Sequence, residues 1–422
     1  MTASSTLSPV TTGGAARLWA RQALFGWLHF ALAAPSVYLW LGLPLVLRQH
    51  GWSGTAIGLF QLAGLPALCK FLLARPVEAR TAGRSHYRAW AIGLCLAYAT
   101  VLAALGWQEL LADRAWLFGL ACAAALAATW ADIPVSALAI RLLPAQERMR
   151  AGGVRSAALS LGAIVGGGAM LLVQARWGWR APFLCLAAAL AVGALLLLRV
   201  REPEEAPEVY AGAAASRVPA MVRGYLAQPG VGRWTVLLLV YFPFIGAAWF
   251  YLKPLLLDHG FAPTQAALLA GIGGGVVAAL SAAASPWLTR RWGLARAVAG
   301  YAALNAGALV LLAAVLALGA PVPGMVLAVL CVAAAMGASS ACAFGLMMHF
   351  ARPRWQAFDY GLQASLFAAS RMLVPLAAGL ALDAAGAVAM VASLALAGGA
   401  AWWLARAFAR AEAAAIGIGH PN

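Results

Sequence analysis

The sequence predicts an all-α membrane protein of twelve transmembrane helices arranged as two six-helix halves. Three observations predict it: an apolar composition, apolar runs long enough to cross a bilayer, and basic residues that collect on alternate sides of those runs. Hydrophobic residues make up 64% of the 422 residues, charged residues only 10%, and the mean hydropathy is +0.84. A soluble domain carries about 25% charged residues. This chain cannot cover a water-facing surface of its size, so lipid is part of its solvent. A soluble enzyme, a nucleic-acid binder and a secreted disulfide scaffold are thereby excluded.

A transmembrane helix needs about 20 mainly apolar residues. With charge clusters and Gly/Pro turns as punctuation, such runs fall near residues 22–47, 56–75, 89–106, 115–143, 153–175, 181–199, 234–257, 264–289, 294–318, 322–350, 358–382 and 386–409. The first is preceded by a polar, uncharged stretch to Gly14 and then by Arg17 and Arg21. No small-residue cleavage site follows a short apolar region, so it reads as a retained span and not as a signal peptide.

Of the 29 basic residues, 27 are Arg and two are Lys, Lys70 and Lys253. With the N-terminus inside, 23 bases fall on the inner side, among them Lys70, Arg75, Arg80, Arg84, Arg88, Arg141, Arg148, Arg150 and Arg155. Arg48, Arg114, Arg176, Arg180 and Lys253 fall outside, and Arg371 lies within a span. This positive-inside asymmetry predicts cytoplasmic termini. It also accounts for the net charge of +16 without a nucleic-acid partner. The six cysteines (Cys69, Cys95, Cys122, Cys185, Cys331, Cys342) are scattered through apolar runs without a C-x-x-C pair. They read as free thiols, with no metal site and no cofactor expected.

The longest polar stretch, residues 200–233, carries Glu202, Glu204, Glu205 and Glu208 with several Pro, and reads as a solvated cytoplasmic linker. It divides the chain into an N-terminal bundle (1–199) and a C-terminal bundle (234–422). An internal repeat supports the division. His50-Gly51-Trp52-Ser53-Gly54-Thr55 matches His259-Gly260-Phe261-Ala262-Pro263-Thr264 at an offset of 209, about half the chain. Each copy follows a Pro-Leu pair, Pro44-Leu45 or Pro254-Leu255, at the outer end of the first span of its half. Parallel half-repeats of this kind resemble the architecture of the major facilitator superfamily.

An ionisable residue at mid-membrane costs roughly 3 kcal/mol on insertion scales, so such residues are rarely idle. Asp132 in span four heads a stripe with Thr129 and Ser136 on one helix face, beside Trp130 and Pro134. It is the candidate proton-coupling or substrate-orienting carboxylate; the alternative is a structural ion pair. In span eleven, Gln363, Phe367 and Ser370/Arg371 recur at helical spacing; both stripes are expected to look into a cavity, with Ser136, Trp130, Gln363 and Arg371 as substrate-binding candidates. Arg371 has three readings: a counter-charge for an anionic substrate, a partner for Asp132, or a lock between helices. Lys70 and Lys253 lie near span ends, where long side chains snorkel to the interface. His29 and His349 read as isolated core histidines. Aromatic residues of spans one and seven offer rings for a flat or cyclic substrate, with Tyr38 and Trp249 as the cavity candidates. The clusters Gly166-Gly167-Gly168 and Gly273-Gly274-Gly275 follow no strand, so they are not phosphate loops. As small residues they would let helices approach closely and the halves slide.

Particular motifs resemble a narrower group. Ile57-Gly58-Leu59-Phe60, Gly64-Leu65-Pro66 and KFLLARPVEAR (Lys70 to Arg80) resemble the corresponding region of AmpG-like permeases. ADIPVSALAIRLL (Ala131 to Leu143), GAIVGGG (Gly162 to Gly168) and DYGLQAS (Asp359 to Ser365) resemble the rhizobactin/pyochelin siderophore permeases, the RhtX/FptX group. Against that group's pattern, a second span-four acid falls on Ser136 and a span-five base on Ser160. The loop-two acid is Glu78, followed by Ala79, and the second-half counterpart from Ser285 to Gly293 has no acid. A missing acid and a missing base together suggest an ion pair removed as a unit, because one partner alone would be a costly buried charge.

The resemblance implies a bacterial inner-membrane transporter, not an enzyme, that imports a siderophore or its iron chelate. No P-loop is present, so the expected energy source is the proton gradient. Alternating access about a site near Asp132 and Arg371 is expected, in a monomer. The rivals are a muropeptide permease, whose cavity would offer hydroxyl and amide partners, and a multidrug exporter with a stronger loop-two motif. A membrane-embedded acyltransferase would need a base and nucleophile converging in one plane, and no catalytic residues are expected.

Overall fold

A computed structural model describes residues 12–52, 60, 62–78, 86–107, 113–203 and 217–418, which contain helices and no strand. Among the described residues ten helical stretches are long and apolar enough to cross a membrane, the last of them two helices joined at a kink, and a shorter helical stretch follows the first. α1 runs from Thr12–Val37 through a π-helical turn, Tyr38–Gly42, to Leu43–Gln49. α2 is described over Leu62–Cys69 and Lys70–Glu78; the start of the expected second span lies outside the described residues. α3 is His86–Trp107 and α4 is Arg114–Leu142. α5 comprises Arg148–Ile164, the π turn Val165–Ala169 and Met170–Trp177, and α6 is Arg180–Leu198.

In the second half, α7 comprises Val231–Tyr241 and Pro243–Asp258. α8 comprises Pro263–Ala266, the π turn Ala267–Gly273 and Gly274–Trp292. α9 is Leu294–Ala317 and α10 is Val322–His349. The last stretch, Gln356–Ile418, is helical on both sides of Gly386, whose φ of 80° reverses the chain. It therefore holds α11 (356–385) and α12 (387–418). Only glycine adopts that left-handed turn without strain. Where described, the expected span positions agree with the helices to within a few residues, except that α1 begins ten residues before 22, α5 five before 153, and α12 runs nine past 409.

The sequence repeat has a structural counterpart. His50 and His259 end α1 and the matching first helix of the second half. Both hold the carbonyl four residues back with ring Nδ1, at 2.8 Å from Val46 O and 3.0 Å from Leu255 O. Gly51 and Gly260 both have φ of 80°. Trp52 N donates to Leu47 O and Phe261 N to Leu256 O, at 3.0 and 3.1 Å. These are the same glycine-terminated helix end built twice.

The described parts of the stretch 200–233 include buried residues. Glu202 is buried: its carboxylate accepts from Arg88 N (3.0 Å) at the start of α3 and from Arg141 Nη1 (2.7 Å) at the end of α4. A carboxylate at a helix N-terminus satisfies free backbone donors and complements the helix dipole. A short helix, Val218–Leu226, buries Met221 and Tyr225. The expected solvated character of Glu204, Glu205 and Glu208 lies outside the described residues.

The halves meet along two seams. On one, α2 faces α11: Phe71 N donates to Ser365 Oγ (3.3 Å), and Gly361 packs on the backbone of Lys70. On the other, α5 lies against α8 and α10. A β-carbon on Gly152 would stand 2.7 Å from Gly345 Cα, and one on Gly153 would stand 2.8 Å from Ala282 O. Ser156 hydrogen-bonds Ser340 across this seam. Thus the tightest approach uses Gly152 and Gly153, not the two glycine triplets. Gly166 packs on α1 within its own half, and only Gly275, against Ile164, reaches across.

Candidate functional site

Between the seams lies a cavity of about 290 Å³, lined from both halves. Its floor is an ionic cluster supplied by four helices. Asp132 is ten residues from the C-terminal end of α4, roughly 15 Å at 1.5 Å per residue, about half the thickness of a hydrocarbon core of about 30 Å. Lys70 Nζ of α2 lies 2.6 Å from Asp132 Oδ2. Arg155 of α5 bonds both oxygens, Nη1 to Oδ1 at 2.8 Å and Nη2 to Oδ2 at 2.9 Å. His29 of α1 stands with Nδ1 3.6 Å from Oδ1 and 2.9 Å from Arg155 Nη1. A carboxylate so surrounded has its charge neutralised twice over, which makes it tolerable where water is scarce.

Arg155 also connects the halves. Its Nη1 donates to Ser136 Oγ at 2.9 Å, and its guanidinium lies over the rings of Phe344 (4.8 Å) and Tyr360 (5.5 Å) on α10 and α11. Arg371 lines the same cavity nearer the sparsely charged end, its guanidinium 5.5 Å from the ring of Phe242 and 5.4 Å from that of Phe367. Among the described residues no carboxylate lies within ion-pair distance of it, Asp132 included. Of its three readings, pairing with Asp132 is excluded in this conformation. Among the described residues the lining therefore carries three cations, Lys70, Arg155 and Arg371, against one carboxylate.

At the basic end the two halves are tied together by side chains. Glu147, before α5, binds Arg290 of α8 at 2.8 Å and Arg150 at 2.7 Å. Glu78, at the end of α2, accepts from Phe358 N (2.8 Å) at the start of α11 and from Tyr87 Oη (2.7 Å). Glu78 thus caps a helix of the opposite half although the Arg expected after it is Ala79. Toward the other end the lining continues through Ser36, Trp40, Gly64 and Ala125.

The seven residues picked from sequence are dispersed. Asp132 and Arg371 line the cavity, and Ser136 lies fully buried behind it, engaged by Arg155. Trp130 faces Trp90, with ring centroids 5.7 Å apart, away from the lining. Tyr38 is fully buried, bonded to Gln174 and set edge-on to Phe183. Trp249 packs over Gly274 of α8. Gln363 is fully buried and its amide is consumed: Oε1 accepts from Trp234 Nε1 (2.6 Å), and Nε2 donates to Met347 O (3.0 Å) and Asp359 O (3.2 Å). Tyr38, Trp130, Trp249 and Gln363 are thereby removed from the cavity, because each faces its own half. Gln363→Leu is expected to cost about 1–3 kcal/mol by stranding the indole N–H of Trp234, seen as a lower melting temperature with substrate affinity unchanged.

Conversely, Lys70, His29 and Arg155 were not expected here. Span five does carry a base, Arg155, five residues before Ser160, and it pairs with Asp132. All three lie inside the apolar runs drawn from sequence, and that depth was the available signal.

The Major Facilitator Superfamily profile matches residues 25–375. Solved structures with a similar fold include the E. coli fucose:proton symporter FucP (TM-score 0.72, 17% identity, 92% of this chain and 97% of that one). The human organic anion transporter MFSD10 gives 0.71 and 20%, covering 92% and 99%. A bacterial homologue of the iron transporter ferroportin, outward-facing with soaked iron, gives 0.63 and 17%, covering 92% and 98%.

Proposed function

The chain belongs to the major facilitator superfamily, and from that premise we propose that this transporter imports a small organic anion, a siderophore or its iron chelate, together with protons. It sits in the bacterial inner membrane with both termini cytoplasmic. The observation that carries this reading is the cavity's surplus of positive charge: three cations and one carboxylate, drawn from both halves. Such a lining repels cations and holds a carboxylate- or phenolate-bearing ligand by charge-assisted hydrogen bonds. The volume, about 290 Å³, lies just below the usual range of ligand pockets, about 300–1,000 Å³. Hydroxyls in the lining are Ser36 and Thr129, and no carboxamide is among its described residues, which disfavours a muropeptide. The likeness to an organic anion transporter and to proton symporters points the same way.

In this conformation the cavity leads to the sparsely charged side, assigned to the periplasm by the placement of bases. An incoming anion meets Arg371 first and then competes with Asp132 for Lys70. A proton and Lys70 compete for the same oxygen, Oδ2. When the anion draws Lys70 away, a proton can take that place, and binding of the two becomes linked. The neutralised site then permits the ties at Glu147 and Glu78 to part.

The test is uptake of a labelled iron chelate into proteoliposomes, with and without a proton gradient, across chelates of graded charge. Gradient-dependent accumulation of anionic chelates is expected; accumulation of neutral or cationic ones alone sinks the reading. Arg371→Ala is expected to raise KM for anionic substrates about 10–100-fold, the worth of a hydrogen bond to a charged group at about 1.5–3 kcal/mol. Neutral analogues should change little.

A further inference from the structure

A second hollow lies outside the transport cavity. It is a groove of about 720 Å³ between α1 and α5 of one half and α8 of the other. Its two ends differ in chemistry. At the basic end of the bundle it is bounded by Trp19, Arg150 and Arg290; deeper it is bounded by Phe30, Leu161 and Ala283. Trp19 to Phe30 and Arg150 to Leu161 each cover eleven helical steps, roughly 16 Å. That is about half of a 30 Å hydrocarbon core, the depth of one leaflet.

We propose that this groove holds an anionic phospholipid, its phosphate at Arg150 and Arg290 and one acyl chain along the wall of α1, α5 and α8. The charge fits: two guanidiniums share the single carboxylate of Glu147, leaving one positive charge for a phosphate. Trp19 stands beside Arg150, ring centroid 4.6 Å from the guanidinium, where indoles settle at the headgroup level. Basic pockets between transmembrane helices bind anionic headgroups in this manner. Because the walls belong to both halves, the lipid is held only while the basic end is closed, and it stabilises that state.

The full-length protein in nanodiscs of phosphatidylcholine with a minor fraction of phosphatidylglycerol supplies the test, with retained lipids counted by native mass spectrometry. A single phosphatidylglycerol per chain is expected, enriched about fivefold over its bulk share, the worth of one basic residue at a membrane surface. Arg290→Gln should return the ratio to the bulk share. Ala283→Trp, which fills the groove and leaves both arginines in place, should lower retention of either lipid. Retention at the bulk ratio in the unaltered protein, or enrichment that survives both substitutions, overturns the assignment. The readout does not involve transport, so it stands or falls independently of the substrate proposed above.

Discussion

Asp132→Asn is expected to abolish gradient-driven uptake and to destabilise the protein at the same time. The amide leaves Lys70 and Arg155, 2.6 and 2.8 Å away, facing each other without a counter-charge. Removing one partner of a buried pair costs about 3–5 kcal/mol, a large part of a stability of about 5–15 kcal/mol. Loss of uptake alone would then be ambiguous. The double variant Asp132→Asn/Lys70→Gln removes a cation with the anion and is expected to recover most of the melting temperature. It retains Arg155 and Arg371, so it should still bind an anionic substrate and let it equilibrate, yet fail to accumulate it against a gradient. Restored accumulation in that background would assign Asp132 a structural role only.

Gly152→Val is expected to shift the protein away from the conformation described here. Its side chain would overlap the backbone of Ala341 and Gly345, where helix backbones from the two halves touch. Overpacking a tight contact costs about 1–3 kcal/mol, and the cost falls only on the state in which α5 and α10 meet. That bias changes a two-state population about 5–150-fold. A cysteine at Ser340, the partner of Ser156 across the seam, reports it once the six native cysteines are replaced. An impermeant maleimide applied at the basic end should react about tenfold faster or more in the valine variant. An unchanged rate would mean that the seam already opens freely.

The architecture was legible because bilayer crossing imposes length and apolarity on each helix separately. Asp132 was legible because a carboxylate at mid-span is conspicuous, and its neighbours Thr129 and Ser136 follow by helical spacing. Its true partners come from α1, α2 and α5, and no local spacing records such a convergence. Lys70 and Arg155 were assigned to the cytoplasmic cluster because each lies within a few residues of a loop. The observed α5 starts at Arg148, which carries Arg155 two turns into the membrane. Gln363 failed for the opposite reason: a helix buried on several sides has polar residues that serve its own bundle, and spacing alone does not say which side holds the cavity. Gly152 and Gly153 carry no triplet signature, yet they make the close backbone approach between the halves.

Of the cavity's three cations, two are guanidiniums, which keep their charge at any working pH, and only one is an amine. A proton passing over the 2.6 Å between Lys70 Nζ and Asp132 Oδ2 would convert ammonium and carboxylate into amine and carboxylic acid. The total charge of the chamber would not change. The pull on an anion is therefore indifferent to which of the two atoms holds the hydrogen. Under the proposed reading only a ligand that draws Lys70 off Asp132 separates the pair, so the lysine serves recognition and energisation together, whereas Arg155 and Arg371 hold charge throughout.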